Sequence, residues 1–507
     1  MRIKISISKA LILIIGMGIL IRMINLGQPL LEGASTRQVQ TAMIARNFYN
    51  HGFKLFYPQV DNFGNNPGYL MLELYILPFI AAIFYKLAGG VNEWMLRCIS
   101  IFFYAASAIM LYRLSVYYFN KKIGLIAVFC FTVSPLSIYL GRAVHPEMAM
   151  TFFSMAAIYS FSRWIYEDKI KYGIFAVFSF VLAVLLKIPN LYLLLPLFFI
   201  AFTKYNLACV KKPRILIFLA LCFIPIALFN RHQYLVRMAF PNPAMEVFNL
   251  GTILGYIRLF LSDKMFYKAS FDNLAAYTLT PIGFSLFFFG FLQKVKEKKE
   301  RVFKIWFLGV VIFFLSLPAQ SVQGYYQMHL LPLACIFIAR AVHTFKNSEV
   351  VKQNYIIRPI SVIILILVVS FVVFRYSYAF YRIPANFRSV VEAGREVDRV
   401  AEKDALIIAS IENGPDLVYY SNRRGWPFMI NREAVRNEEK RMGKDKGRIY
   451  DPVEYLEFLR SEGADYFASA SMAEFNAHKK FSGYMRENFQ VLKEAQNYII
   501  FDIRKKK

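Results

Sequence analysis

The 507 residues are 57% hydrophobic, 17% aromatic and only 18% charged, with a mean hydropathy of +0.41. That excludes an ordinary soluble chain, in which charged residues make up about 25%. The net charge of +27 does not point to nucleic acid, because residues 385–507 hold 22 Lys+Arg against 20 Asp+Glu, leaving 38 against 13 in the first 384, where short basic loops orient a membrane protein.

The N-terminal MRIKISISK leads into a long apolar run without an A-x-A cleavage site, which reads as an uncleaved anchor. Runs near the ~20 residues that cross a bilayer are predicted at 8–26, 95–118, 122–141, 147–166, 172–187, 189–204, 214–230, 274–293, 303–318, 326–345 and 357–377. A further run, 69–88, carries Glu73 and Pro78. Charge decides its place. If it does not cross, and Arg2, Lys4 and Lys9 are cytoplasmic, then Lys121/Lys122, Lys169/Lys171, 204–214, KVKEKKERVFK and 346–358 all fall inside. The prediction is a polytopic α-helical membrane protein of about 11 spans. Residues 1–384 form the membrane domain, with long outer loops at 27–94 and 231–273. Residues 385–507 form an extracytoplasmic domain.

In that last region ALIIAS (405–410), ADYFAS (464–469) and NYIIFDI (497–503) read as strands. Asp451-Pro-Val-Glu454 opens a helix that Gly463 closes. Alternation of strand and helix predicts a small α/β domain. Of the five cysteines, four lie in apolar runs and none forms a CxxC, so neither a disulfide framework nor a cysteine zinc site is indicated.

Polar residues gather at the predicted outer ends of spans. In YLGRAVHPEMAMTFF, Arg142, His145 and Glu147 stand between two apolar runs. A helix-start acid is favoured by the macrodipole alone, but three ionisable groups at one junction point to a cavity or pathway. Lys187 ends a span before Ile-Pro-Asn, where it can snorkel or meet a lipid phosphate. SVQGYYQMHLLP brings Tyr325 and Tyr326 to the start of another span. In the first outer loop, Arg37 and Arg46 flank an interfacial helix pattern, and Tyr57, Asp61 and Glu73 follow around an Asn-Gly-Pro turn.

Taken in order, STRQVQTAMIARNFYNHG, YPQVD…PGY…E, RLSVYYFNKKIGLIAVFCFTVSPLSIYLGRAVHPEMAMTFF, KIPNLYLLLPL and GYYQMHLLPL resemble the glycosyltransferase C superfamily. The branch is that of protein O-mannosyltransferases and lipid A aminoarabinose transferases. The tail YYSNRRGW…GADYF…YIIFDI is similar to the outer domain often attached to such enzymes. The resemblance implies a transferase at the outer face of the cytoplasmic membrane. Its donor would be a polyprenyl-phosphate-linked sugar. Its acceptor would be lipid A, protein or polysaccharide. Arg37, Arg142 or Lys187 would meet the donor phosphate, with Tyr325 and Tyr326 beside it. A carboxylate would act as base. The family places an acid just before the loop helix, where this sequence has Gln38 and Gln40. The base is therefore expected from Glu32, Asp61 or Glu147, with His145, Tyr57 and Glu73 as further pocket residues. Participation of a divalent metal, Mg or Mn, is left open, since no tight carboxylate cluster appears. The rival readings are a lipid or sugar transporter and an inactive scaffold of the same fold. Arg142→Ala and Glu147→Gln are expected, from sequence, to abolish transfer without loss of expression.

Overall fold

The computed structural model describes residues 6–241, 254–255, 257–258, 261–317, 323–347, 357–411, 414–431 and 451–506. Outside them lie Arg2 and Lys4, the middle of loop 231–273, the start of the turn before Tyr325, and most of the basic segment 346–358. The helices in chain order are α1 (Ile7–Met23), α2 (Ser35–His51), α3 (Ile76–Ala88), α4 (Glu93–Tyr118), α5 (Lys121–Val133), α6 (Pro135–Leu140), α7 (Glu147–Glu167), α8 (Ile170–Leu186), α9 (Leu194–Tyr205), α10 (Pro213–Ala239), α11 (Lys264–Asp272), α12 (Thr280–Leu292), α13 (Val302–Ser316), α14 (Leu331–Lys346), α15 (Ile357–Ser377) and α16 (Arg388–Val400).

Among the described residues, three helical stretches are long and apolar enough to cross a membrane: Glu93–Tyr118, Ile188–Lys211 and Pro213–Ala239. A fourth is the pair Lys264–Thr278 and Thr280–Leu292 if taken as one span bent by 99°. At that bend Thr280 has φ +64, a left-handed conformation that is strained for a β-branched residue. Helix α3 has 13 residues, about 20 Å at 1.5 Å per residue, which is short of a ~30 Å hydrocarbon core.

Chain contacts divide the described residues into two compact units. The first takes in Met1–Leu26, Arg97–His232 and Phe248–Tyr378; the second Gly27–Leu96, Gln233–Val247 and Ala379–Lys507. Residues 27–96 thus belong to the same unit as the C-terminal residues.

In the first unit, caps and prolines set the helix ends that matter here. Asn120 accepts hydrogen bonds from the Lys122 and Ile123 amides and starts α5. Pro189, which has no amide hydrogen, follows the end of α8 at Leu186. Helix α12 crosses α14 at Gly290, where an added Cβ would sit 1.9 Å from the Phe337 carbonyl oxygen. Gly290→Ala is expected to cost about 3 kcal/mol, since neither backbone can yield cheaply. Thermal unfolding of the detergent-solubilised chain measures this, and an unchanged midpoint would remove the close crossing.

The second unit contains a five-stranded sheet of order β2-β1-β3-β5-β4. Its strands are β1 (Leu406–Ser410), β2 (Arg424–Phe428), β3 (Tyr466–Ser469), β4 (Gln490–Glu494) and β5 (Ile499–Asp502). β1 is parallel to β2 and β3, with Ile408 opposite Trp426 and Phe467; β5 is antiparallel to β3 and β4. Phe428, Phe467, Phe475, Phe481 and Phe501 pack into one buried core. The predicted strands at 405–410, 464–469 and 497–503 are β1, β3 and β5. Asp451 caps the helix Pro452–Ser461 by accepting from the Val453 amide at 2.8 Å.

β2 ends the sheet, and Pro427 stands in it, as edge strands allow. Its free edge is taken by the loop that follows α2. Gly425 N–H donates to the Asp61 carbonyl at 2.9 Å, and Gly64 N–H donates back to the Gly425 carbonyl at 2.8 Å. Arg424 Nη2 donates to the carbonyls of Gly64 and Asn66. Gly64 has φ +56 and faces the Trp426 ring, which a Cβ would strike.

Carboxylates of this sheet and its helices are held below their ordinary range by cationic partners. Hydrogen bonds from Arg504 lower Asp502, from Lys480 lower Asp451, and from Arg486 lower Glu494. A lowered carboxylate adds stability that is complete above its unfolded pKa and lost as pH falls through the folded one. From about pH 4 downward the domain is therefore expected to loosen. Hydrogen-exchange protection factors across 451–506 of the whole chain, taken relative to the intrinsic rate at each pH, should fall at pH 3 relative to pH 6, and equal protection factors would contradict the assignment.

Candidate active site

Two polar groups stand out, one in each unit. In the first unit, α5 gives way to α6, and a short loop, 141–146, leads to Glu147 at the first turn of α7. Glu147 is 1% exposed and His145 fully buried. Glu147 Oε2 lies 3.1 Å from His145 Nδ1, and Oε1 lies 3.2 Å from Lys187 Nζ. The helix N-terminus adds partial positive charge to the same carboxylate.

Lys187 is placed by the turn that ends α8. Its amide closes on the Ala183 carbonyl at 3.1 Å. Asn190 Nδ2 donates to the same carbonyl at 2.8 Å, while its Oδ1 accepts from Ser154 Oγ of α7 at 3.2 Å. The KIPN turn is thereby tied to the helix that begins with Glu147. Lys187 Nζ also lies 5.6 Å from the centre of the Tyr325 ring and 5.1 Å from that of Tyr326, within cation–π range. Tyr325 packs on His145 at 5.4 Å between ring centres. His329 accepts or donates to Tyr192 Oη at 3.3 Å and stacks on Tyr326. The structure therefore brings Glu147, His145, Lys187, Tyr325 and Tyr326 into one cluster.

Arg142 is held by the backbone. It is fully buried, and its Nη2 donates to the carbonyls of Ile24 at 2.8 Å and Asn25 at 3.0 Å, just past the end of α1. The loop folds the Arg142 side chain toward the end of α1, where it makes these backbone contacts. Arg22 of α1 reaches the opposite way. It donates to the Thr132 carbonyl and to Ser137 Oγ at 2.8 Å, with its guanidinium 3.5 Å from the centre of the Tyr104 ring. Two arginines thus staple α1 to the segment that presents His145 and Glu147. Sequence reading missed Arg22 because an arginine near a span end looks like an interfacial one. The adjacent Gly141, where a Cβ would fall 2.3 Å from Arg22 Nε, was the available signal.

In the second unit, Asp61 and Glu73 are both ion-paired. Asp61 Oδ2 accepts from Arg46 Nη2 at 2.7 Å, and Oδ1 accepts from Asn47 Nδ2 at 2.8 Å. Arg46 also donates to the Tyr419 carbonyl at 3.0 Å. Arg37 pairs with Glu73. Gln38 is buried and donates to the Glu32 carbonyl at 2.7 Å, and Glu32 itself is fully buried. Gln40 is half-buried on α2. Tyr57 is exposed, its ring edge-on to Tyr69. Among the described residues no group of three or more His, Cys, Asp or Glu is arranged to hold a metal ion.

Residues 75–229 match the family model described as dolichyl-phosphate-mannose-protein mannosyltransferase. No curated protein sequence matches the chain. Among solved structures, ArnT from Cupriavidus metallidurans in the apo state aligns with a TM-score of 0.61 at 11% identity, over 97% of this chain and 98% of that one. The chain has the glycosyltransferase C fold. ArnT bound to undecaprenyl phosphate aligns with a TM-score of 0.58 at 12% identity, over 97% of each chain. AglB from Archaeoglobus fulgidus, in complex with an inhibitory peptide and a dolichol-phosphate, aligns at 0.56 and 11% identity, over 96% of this chain and 74% of that one. In this glycosyltransferase C fold the family-model match spans α3 through most of α10, and so includes Glu147 and Lys187.

Proposed function

We propose that the chain is an integral-membrane glycosyltransferase. It moves a sugar from a polyprenyl-phosphate donor to an acceptor hydroxyl or phosphate at the outer face of the cytoplasmic membrane. The observation that carries this reading is Lys187, a buried cation held between Glu147 and two tyrosine rings, in a fold shared along its whole length with a protein solved with undecaprenyl phosphate. Lys187 is the donor-phosphate ligand, and Tyr325 and Tyr326 wall the same place. Glu147 positions Lys187 and His145. In the reaction the acceptor oxygen attacks the anomeric carbon, and the bond from that carbon to phosphate oxygen breaks. Polyprenyl phosphate leaves with the electron pair and its charge develops against Lys187. A single in-line displacement inverts the anomeric centre. With a hydroxyl acceptor, the proton passes to a first-loop carboxylate, Glu32 or Asp61.

The orientation belongs to the same proposal. Eleven spans, with α3 lying in the interface, put Lys121 and Lys122 inside and the 385–507 domain outside. Detection of a tag at Lys121–Lys122 from outside intact cells would reverse it. Gln38 and Gln40 favour one second reading, an inactive scaffold of this fold. Labelled polyprenyl-phosphate sugars, offered with membrane acceptors, separate the two. Transfer supports the enzyme, and donor binding with no transfer supports the scaffold.

A further inference from the structure

Cations from three elements of the first unit meet at the far end of α14. That helix has 16 residues, about 24 Å at 1.5 Å per residue, and Tyr325, Tyr326 and His329 precede its start. Lys122 stands in the first turn of α5, His343 and Lys346 in the last turn of α14, and Lys296 in the loop between α12 and α13. His343 lies within electrostatic reach of all three lysines. The lysines are exposed, and among the described residues none of them makes an ion pair. The carboxylates nearby are used otherwise. Glu297 Oε2 pairs with Lys299 Nζ at 2.9 Å, and the buried Glu300 accepts from the Lys296 amide at 3.2 Å. The loop that carries Lys296 is tied down. Arg340 Nη2 donates to the Lys294 carbonyl at 3.0 Å, and Gln293 Nε2 donates to Thr344 Oγ1 at 3.1 Å. The first turn of α5 holds no acid, although the macrodipole favours an anion there and opposes Lys121 and Lys122.

An apolar border adjoins these cations. Phe289 of α12 and Phe345 of α14 stack at 4.5 Å between ring centres. Both are exposed, and so is Leu292 at the end of α12. Phe345 directly precedes Lys346, and Leu292 stands four residues before Lys296. A free phosphate or an acidic protein surface would use the lysines and leave the rings in water. A phospholipid carries an anionic phosphate and hydrocarbon side by side, and basic pockets between membrane helices take such headgroups. We propose that this end of α5, α12 and α14 binds an anionic phospholipid, its phosphate among Lys122, Lys296 and Lys346 and its hydrocarbon against Phe289, Leu292 and Phe345. The proposal does not depend on the transfer reaction.

The test uses the whole chain in phosphatidylcholine vesicles containing phosphatidylglycerol with a diazirine near the start of one acyl chain. After photolysis, adducts are mapped by mass spectrometry. The expected result is modification of Phe289, Leu292 or Phe345, falling about tenfold in the double variant Lys296→Gln/Lys346→Gln and kept in Lys296→Arg/Lys346→Arg. Lys122→Gln, on a different element, should lower the same adducts if the double variant does not fold. Leu221 and Ile224, exposed on α10, report ordinary bilayer contact and should label equally in all variants. Equal labelling of Phe289, Leu292 and Phe345 by a phosphatidylcholine with the same diazirine would overturn the proposal, because any bilayer lipid would then suffice. So would labelling that the glutamine substitutions leave unchanged. Loss of these adducts on adding a few molar equivalents of undecaprenyl phosphate would give the site to the donor, and loss on adding inorganic phosphate would give it to a free anion; either result also overturns the proposal.

Discussion

Lys187→Met is expected to lower sugar transfer by about 10²–10³-fold, the range found when one preorganised donor to a developing oxyanion is removed. It should also destabilise the chain by about 3–5 kcal/mol, because Glu147 loses a cationic partner while staying buried. These two effects can be separated. Glu147→Gln combined with Lys187→Met removes both charges, and similar volumes remain. That double variant should regain most of the melting temperature and stay inactive. Glu147→Gln alone should fold, keep donor binding weakly and transfer slowly, since Lys187 is then positioned only by its turn and the tyrosine rings. Initial rates with labelled donor, read beside thermal unfolding in detergent, decide the matter. Wild-type transfer by the double variant would reduce the Glu147–Lys187 pair to a structural ion pair and remove the site.

Arg142→Ala should act in the opposite way. Its guanidinium binds two carbonyls beyond the end of α1, and a charged donor to a buried acceptor is worth about 1.5–3 kcal/mol. The expected result is a loss of about 2–4 kcal/mol and a smaller yield of folded protein, with near-normal transfer per folded molecule. Lysine should not restore it, since one ammonium cannot span both carbonyls as the guanidinium fork does. The alternative outcome is the one expected from sequence, inactivity at normal expression. A well-folded, inactive Arg142→Ala chain would return Arg142 to the donor phosphate.

The comparison of Arg142 with Lys187 shows what could be read in advance. Both were legible as cations at the ends of apolar runs. The direction of a side chain from such a position is set by the neighbouring backbone, and that is a tertiary fact. For Lys187 the following Ile-Pro-Asn was informative, because the proline ends the helix and the asparagine ties the turn to α7. For Arg142 the partner carbonyls lie over a hundred residues away in sequence. Asp61 illustrates a second gap. Its turn was legible from Asn, Gly and Pro, but its pairing with Arg46 and Asn47 depends on how the loop folds back on α2. In the C-terminal domain, β1, β3 and β5 were legible from β-branched and aromatic runs. β2 was not, because Arg-Gly-Trp-Pro-Phe carries a glycine and a proline that argue against a central strand; it is tolerated at the sheet edge.

The cover over that edge also bears on how the chain can be handled. Backbone bonds from residues 61 and 64 complete β2, so a recombinant fragment begun at residue 385 would expose unsatisfied amides and carbonyls along one side. Such a side recruits further strands, and the isolated fragment should self-associate unless a peptide carrying residues 57–69 is supplied with it.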